Sequence, residues 1–427
     1  MMSMCFHFST NHKSKMIKPT KIHSHFVTQH DTLYSIYNSM KPIYTVCKVI
    51  GLSTLSIEQN GQLKSKKSNY VYFGLYLTIY TLLVVYSLVC FVRYHMNFIL
   101  ISKHIIFFES CILALLMLFV IIFTFFLRNM QIKALDLLSH VDVYFVRGGF
   151  SMQYKNLLQK SYIILCFAVI SLTIRSFLLF LTLPVSLIGQ ATLIVSITIK
   201  AFSKYQFVVF VQQLQMRFTN INKAIRFFFS KNSKVDKLVL NSAIRSVSPQ
   251  LYLLCRLHYK LAYVVQKINS AFAVQLLVSI GVSLCDLLLQ AYYLYYIATG
   301  KIPIVTIIMI VCPVIWLVDE TVEIYWLVHV CASTCEQANE TPTILHELRN
   351  SYSDLELENH IQTYSLQMLH QKVQFSVLGF FVVDYTLIYS IIGAVTTYLV
   401  IFIQFDQSSN NLDALLLSNS TYNSTHY

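Results

Sequence analysis

Seven stretches of twenty or more predominantly apolar residues run through this chain and constrain its fold more than any other feature. They are Val71–Val92, His104–Phe126, Ser161–Leu187, Gly189–Gln213, Ala271–Tyr296, Ile304–Val328 and Phe375–Phe405. Crossing about 30 Å of hydrocarbon takes about 20 helical residues. A backbone inside lipid must satisfy its own hydrogen bonds, which leaves helices or a closed barrel. Barrel strands are half as long and alternate polar with apolar residues, a pattern missing from these runs. Only 12% of the 427 residues are charged and 56% are hydrophobic, against roughly a quarter charged in a soluble domain. The expected class is therefore all-α, a polytopic membrane protein with seven transmembrane helices.

The formal net charge is +13, and its distribution matters more than its size. Of the 32 Lys and Arg, nine fall in residues 1–70, five in 127–160, ten in 214–270 and two in 329–374. The alternate loops hold three, Arg93, Lys103 and Lys301. Positive loops stay cytoplasmic, so the amino terminus is expected inside and the carboxyl terminus outside. Such a distribution implies a lipid bilayer and no nucleic acid. Lys13, Lys15, Lys18 and Lys21 precede no continuous apolar core, so no cleavable signal is read there. Two glycosylation acceptors, Asn419 and Asn423, fall in the tail placed outside, whereas the sequon at Asn339 falls inside and is expected to stay bare.

Leu254, Leu257, Leu261, Val264 and Ile268 recur at three and four, which predicts an amphipathic helix continuing below the membrane into a cytoplasmic helical region. Cys90, Cys111, Cys166, Cys285 and Cys312 sit in or beside apolar runs and read as small buried hydrophobes. Cys331 and Cys335 share a helical face but lack further ligands at zinc spacing. Neither a metal, a cofactor nor a disulfide framework is expected. With no HExxH, nucleophile elbow or phosphate loop in view, the chain is not read as an enzyme.

The segment Thr397-Tyr398-Leu399-Val400-Ile401-Phe402-Ile403-Gln404-Phe405 resembles the Thr-Tyr, five hydrophobic residues, Gln-Phe signature that ends the last helix of insect gustatory receptors. The likeness continues upstream in residues 375–381, Asp384 and 392–396, and more softly in Lys41-Pro42-Ile43-Tyr44, Gly51-Leu52, Arg217-Phe218 and Asn222. The resemblance implies a seven-helix chemoreceptor with an intracellular amino terminus, related to insect odorant receptors and assembled as a tetrameric ligand-gated cation channel. It further implies a last helix at a central pore, a cytoplasmic anchor between subunits, and a ligand pocket opening outward among the middle helices. On this reading residues 1–35 form a disordered cytoplasmic extension, 36–405 the receptor domain and 406–427 an extracellular tail.

Ser390, Gly393, Thr397, Ile401 and Gln404 share one face of the last helix. Periodicity alone leaves two readings, a water-facing pore wall or a helix-packing seam of small residues. The resemblance favours the pore, with Phe405 closing the set. Tyr398 and Phe402 are read as signature residues that pack against protein.

Ionisable groups inside spans need a partner or a wet cavity. Glu109 and Arg175 fall in the outer half of their spans and Asp286 nearer the middle, whereas Asp319, Glu320, Glu323 and Asp384 are placed toward inner ends. Asp286, Gln290 and Tyr293 share a face, with Tyr296 beside it. Aromatic walls with a few fixed polar groups suit a small ligand, so Glu109, Arg175, Asp286, Gln290, Tyr293 and Tyr296 are the pocket candidates. An Asp286–Arg175 pair with a purely structural role is the competing reading, and Lys200 and Lys204 have no account.

The expected function is a plasma-membrane, ligand-gated, non-selective channel subunit of sensory neurons, passing monovalent and divalent cations. Its partners are a small-molecule tastant and further subunits, as a homotetramer or a heteromer with other gustatory receptors. A bitter plant compound is the first expectation for the ligand, since the Glu that the resemblance associates with sugar receptors after Thr-Tyr is Leu399 here. A fructose-type sugar receptor stays open, and a G-protein-coupled receptor is the alternative of another class.

Overall fold

The computed structural model describes residues 36–57, 63–64, 67–95, 101–147, 150, 152–182, 187–232, 237–300, 306–349 and 355–424. The expected extension 1–35 lies outside them. In chain order the elements are α1 (Ile36–Val49), β1 (Ser56–Ile57), β2 (Leu63–Lys64), α2 (Lys67–His95), α3 (Ile101–Arg147), α4 (Tyr154–Thr182) and α5 (Leu187–Asn232). They continue with α6 (Lys237–Ala298), α7 (Ile307–Arg349), α8 (Leu355–His370), β3 (Ser376–Val377), β4 (Phe381–Val382) and α9 (Tyr385–Ser424). Each strand pair is an antiparallel hairpin, and every other element among the described residues is a helix.

Among the described residues six helices are long and apolar enough to cross a membrane, within Asn69–Val89, Cys111–Arg147, Tyr154–Thr182, Leu187–Phe227, Pro249–Ala298 and Tyr385–Ser408. Of the seventh expected span, Ile304–Val328, residues 307–328 form the first half of α7. Asp319, Glu320 and Glu323 lower its apolar content, and their place in the bundle explains why they are tolerated.

α5 is the hub. Its apolar window is 83% buried, against 11% for α9, and it packs on α1, α2, α3, α4, α6 and α7. Large side chains point inward around its whole circumference, Phe202, Phe207, Phe210, Leu214 and Phe218 among them, as expected of a helix enclosed by others. α6 is 62 residues long, about 93 Å at 1.5 Å per residue, so it extends far past one bilayer. Its row Leu254, Leu257, Leu261, Val264 and Ile268 is buried, and α3 is among the helices packed on α6. The amphipathic continuation expected from sequence is present.

α1 lies against α4 and α5, burying Met40, Ile43, Tyr44 and Cys47 at helical spacing. It ends in a Schellman turn: the Leu52 amide donates to the Cys47 carbonyl at 2.8 Å and the Gly51 amide to Lys48 at 3.2 Å. Gly51 has φ +76°, and a Cβ there would meet the Tyr76 ring at 2.2 Å. Only glycine fits that approach.

The last span starts later than its apolar run suggests. Phe375 is fully buried against Phe207 at the foot of a hairpin, and α9 begins at Tyr385. The hairpin turns through Leu378 (φ 50°) and Gly379 (φ 78°), two left-handed residues in succession, which is the type I′ geometry. Asp384 then caps α9, its carboxylate accepting from the Thr386 amide at 2.9 Å. Asn339 of α7 holds Val373 by both backbone groups at 2.9 Å, and Asn269 of α6 donates to the Gln374 carbonyl at 3.0 Å. α9 is thus moored at its start to α6 and α7.

Some cysteines depart from the expected burial. Cys166 and Cys285 are exposed on the bundle's outer surface, Cys111 and Cys312 are half-buried, and Cys47, Cys255 and Cys331 are enclosed. A lipid-facing surface is as apolar as a core, so periodicity within an apolar run does not separate the two. Burial pushes the Cys331 and Cys335 thiols up, Cys335 to about 11, which suits inert packing groups.

Candidate functional site

The interior of the bundle holds a chain of alternating charges. Lys200 and Lys204 stand one turn apart on α5; Glu320 and Glu323 stand nearly one turn apart on α7, beside Asp319; Arg175 comes from α4 and Asp286 from α6. Arg175 donates to Glu320 at 3.1 Å and Glu323 at 3.3 Å, and pairs with Asp319. Lys204 reaches Glu323 at 2.6 Å, Glu320 at 3.5 Å and the Ser283 hydroxyl at 3.0 Å. Lys200 joins Glu320 to Asp286. Tyr205 donates to Glu323 at 3.1 Å and Ser171 to Asp319 at 2.6 Å, while the Arg175 guanidinium lies 5.2 Å from the Trp316 ring centre. Arg175, Lys200 and Lys204 are at most 2% exposed. Charges so enclosed need opposite charges and hydrogen bonds close by, and here four helices bring three cations among four carboxylates.

One sequence reading changes. Asp286 and Arg175 do not pair directly; they belong to one network through Lys200 and Glu320. Asp319, Glu320 and Glu323, three to four turns into α7 as it starts at Ile307, lie within reach of Arg175. Lys200 and Lys204 acquire the account they lacked. The signal available in sequence was the i, i+4 lysine pair on one apolar helix with an i, i+3 glutamate pair on another.

Of the pocket candidates, Gln290, Tyr293 and Tyr296 are half-buried on the run of α6 above Asp286. Cys312 lies against Thr182, Trp316 and Tyr293, which brings α4, α6 and α7 together beside these residues. The Glu109 side chain lies outside the described residues. A separate apolar groove, lined by Ile79, Leu82, Leu83, Val85, Tyr86, Val89 and Ile188, contains none of the candidates.

A second polar centre ties α1, α3, α4 and α5. Arg217 forks onto Asp142 of α3, with Nε donating at 2.7 Å, and Tyr154 of α4 donates to the same carboxylate at 2.6 Å. Gln213 donates to Ser39 at 2.9 Å and Ser161 to the Ser39 carbonyl at 2.7 Å, locking α1. Asn222 and Thr341 bond at 2.7 Å.

α9 stands apart from the rest of the chain. Leu387 and Ile391 are buried, and Phe402 meets Tyr292 edge to face at 5.6 Å, so one side faces α6 and α7. The opposite side carries Ser390, Gly393, Thr397 and Gln404, all exposed within one chain, with Ile401 half-buried at its margin. A Cβ on Gly393 would meet no atom within 4 Å. Ser390 and Thr397 turn their hydroxyls back to carbonyls four residues earlier, at 2.9 and 2.8 Å. Phe405 is 71% exposed and Tyr398 51%, so within one chain the signature pair divides: Phe402 packs and Tyr398 looks outward. α9 runs on to Ser424 through the expected tail, and the side chains of Asn419 and Asn423 lie outside the described residues.

The family model described as 7tm Chemosensory receptor matches residues 40–409. The chain is similar to Putative gustatory receptor 28b of Drosophila melanogaster, 23% identical over 89% of this chain and 88% of that protein. It is also similar to Gustatory receptor 68a of the same organism, 29% identical over 45% of this chain and 50% of that one. Among solved structures, the insect olfactory receptor OR5 from Machilis hrabei has the same fold: TM-score 0.64, 14% identity, 88% of this chain and 99% of that one.

Proposed function

The chain belongs to the 7tm chemosensory receptor family, among the insect gustatory receptors, and from that premise we propose that it is a subunit of a ligand-gated, non-selective cation channel that detects bitter plant compounds. The observation that carries this is α9: a membrane helix with one side bound to its own chain and a small, polar side left open. Water or a second subunit suits such a face better than lipid does. Four copies around an axis would bring these faces together on a wet path, with Gln404 near one mouth and Asp406 following it. The proposed orientation has the amino terminus in the cytoplasm of a sensory neuron and the tail outside. The protein performs no covalent chemistry; it converts ligand binding into conduction.

The moorings of α9 supply a route for that conversion. Ligand held beside α6 and α7 shifts the two helices to which Asn269 and Asn339 tie the hairpin before α9. It favours the open state only by the difference in its affinity for the two states. Expression in cells with patch clamp, across a panel of bitter compounds and sugars, tests the proposal. Ligand-evoked currents whose cation selectivity changes in Gln404→Ala support it. Currents indifferent to every substitution from Ser390 to Gln404 remove α9 from the pore, and an extracellular amino-terminal tag on intact cells overturns the orientation.

A further inference from the structure

The charge chain is odd in number: Arg175, Lys200 and Lys204 oppose Asp286, Asp319, Glu320 and Glu323. The imbalance has a location. Glu320 receives Arg175, Lys200 and Lys204. Glu323 receives Arg175, Lys204 and Tyr205. Asp319, though 14% exposed, is held by Arg175 and by Ser171. Asp286 receives Lys200 alone, through Oδ2; its Oδ1 accepts from no donor among the described residues. Buried carboxylates need several donors to stay ionised in low dielectric, and this one is 96% covered with a single donor.

Asp286 also stands at the open end of the chain. Its side chain keeps 6% exposure where that of Lys200 keeps none. One and two turns farther along the same face of α6 lie Gln290 and Tyr293, both half-buried, and Tyr293 faces Cys312, beside Trp316 and Thr182. Beyond Asp286 in the other direction, Ser283 and Ser279 are fully enclosed. Trp316 already carries the Arg175 cation near its ring, as indole faces do for positive groups.

We infer that the space bounded by Asp286, Gln290, Tyr293 and Trp316 is a binding site for a ligand bearing a protonated amine, whose ammonium completes Asp286 while its apolar body lies against the aromatic side chains. The inference rests on the receptor reading above and narrows the ligand to organic cations. An ammonium brings the opposite charge and the donors that Asp286 lacks. A neutral hydroxyl brings one weaker donor and leaves the surplus charge in place. A sugar satisfies the tyrosines without answering the carboxylate.

Binding to purified full-length receptor in lipid nanodiscs tests this independently of conduction. The probes are ammonium compounds and their neutral isosteres: benzylamine against benzyl alcohol, phenethylamine against 2-phenylethanol, and tryptamine against tryptophol. At least one amine is expected to bind tenfold or more tightly than its alcohol. Asp286→Asn, which leaves Lys200 to Glu320, is expected to erase that preference, and Asp286→Glu to retain it. If no amine exceeds its alcohol in the wild-type receptor, the inference falls without recourse to any variant. A preference that survives in folded Asp286→Asn overturns it as well. A receptor that prefers amines through Asp286 yet passes no current keeps this site and loses the channel reading; currents evoked by neutral compounds, with no amine preference in binding, do the reverse.

Discussion

Lys200→Met isolates the role of charge in the middle of the bundle. Methionine nearly matches the lysine stem in length and flexibility, so packing is largely kept while the fully covered ammonium is removed. Glu320 retains Arg175 and Lys204, but Asp286 loses its one donor. Removing one partner of a buried ion pair costs about 3–5 kcal/mol because the other charge is stranded. The lower figure applies here, since Asp286 sits at the open end. Removing the stranded charge in Lys200→Met/Asp286→Asn should return about 1–3 kcal/mol, the range of coupling between contacting residues. An unfolding entropy of about 2.1 cal/mol/K per residue makes 1 kcal/mol worth roughly 1 °C in a chain this long. Thermal unfolding of detergent-purified receptor, followed by size exclusion, should therefore show the single variant melting about 3 °C low and the double variant recovering about 1–3 °C. A single variant within about 1 °C of wild type, or a double variant less stable than the single, refutes the idea that matched charge holds these helices.

Three further outcomes follow from the geometry. Gly51→Ala, forced to φ +76° with a Cβ 2.2 Å from Tyr76, should lower stability by about 2 kcal/mol or more from backbone strain and overlap together; adding Tyr76→Leu should recover only the overlap, read in the same melting assay. Asn339→Ala removes both bonds to Val373, should cost about 1–3 kcal/mol, and should shift the ligand concentration for half-maximal current, since the hairpin before α9 loses its mooring to α7. Gly393→Leu points into space free of atoms within 4 Å, so it should leave the folding of one chain within about 0.5 kcal/mol of wild type yet reduce single-channel conductance or tetramer yield; normal assembly and normal conductance together would exclude this face from the pore.

What the sequence by itself determined was the class and the number of long helices, because the cost of exposed backbone in lipid admits few alternatives to an apolar run of twenty residues. The buried row from Leu254 to Ile268 was legible for the same reason: its spacing is a local property of one helix. The face from Ser390 to Gln404 was equally legible, but which way it turns was settled only by the anchoring of Leu387, Ile391 and Phe402 to the neighbouring helices. The start of α9 was hidden, since β3 and β4 are as apolar as the helix they precede and differ from it through a turn at Leu378 and Gly379. The charge chain was the deepest thing out of reach. Lys200, Glu320, Asp286 and Arg175 come from four separate helices, and one-dimensional pattern records neither their depth nor their partners. Only the packing of α4, α5, α6 and α7 brings together charges that each helix alone would be penalised for carrying, and only that packing leaves Asp286 a donor short.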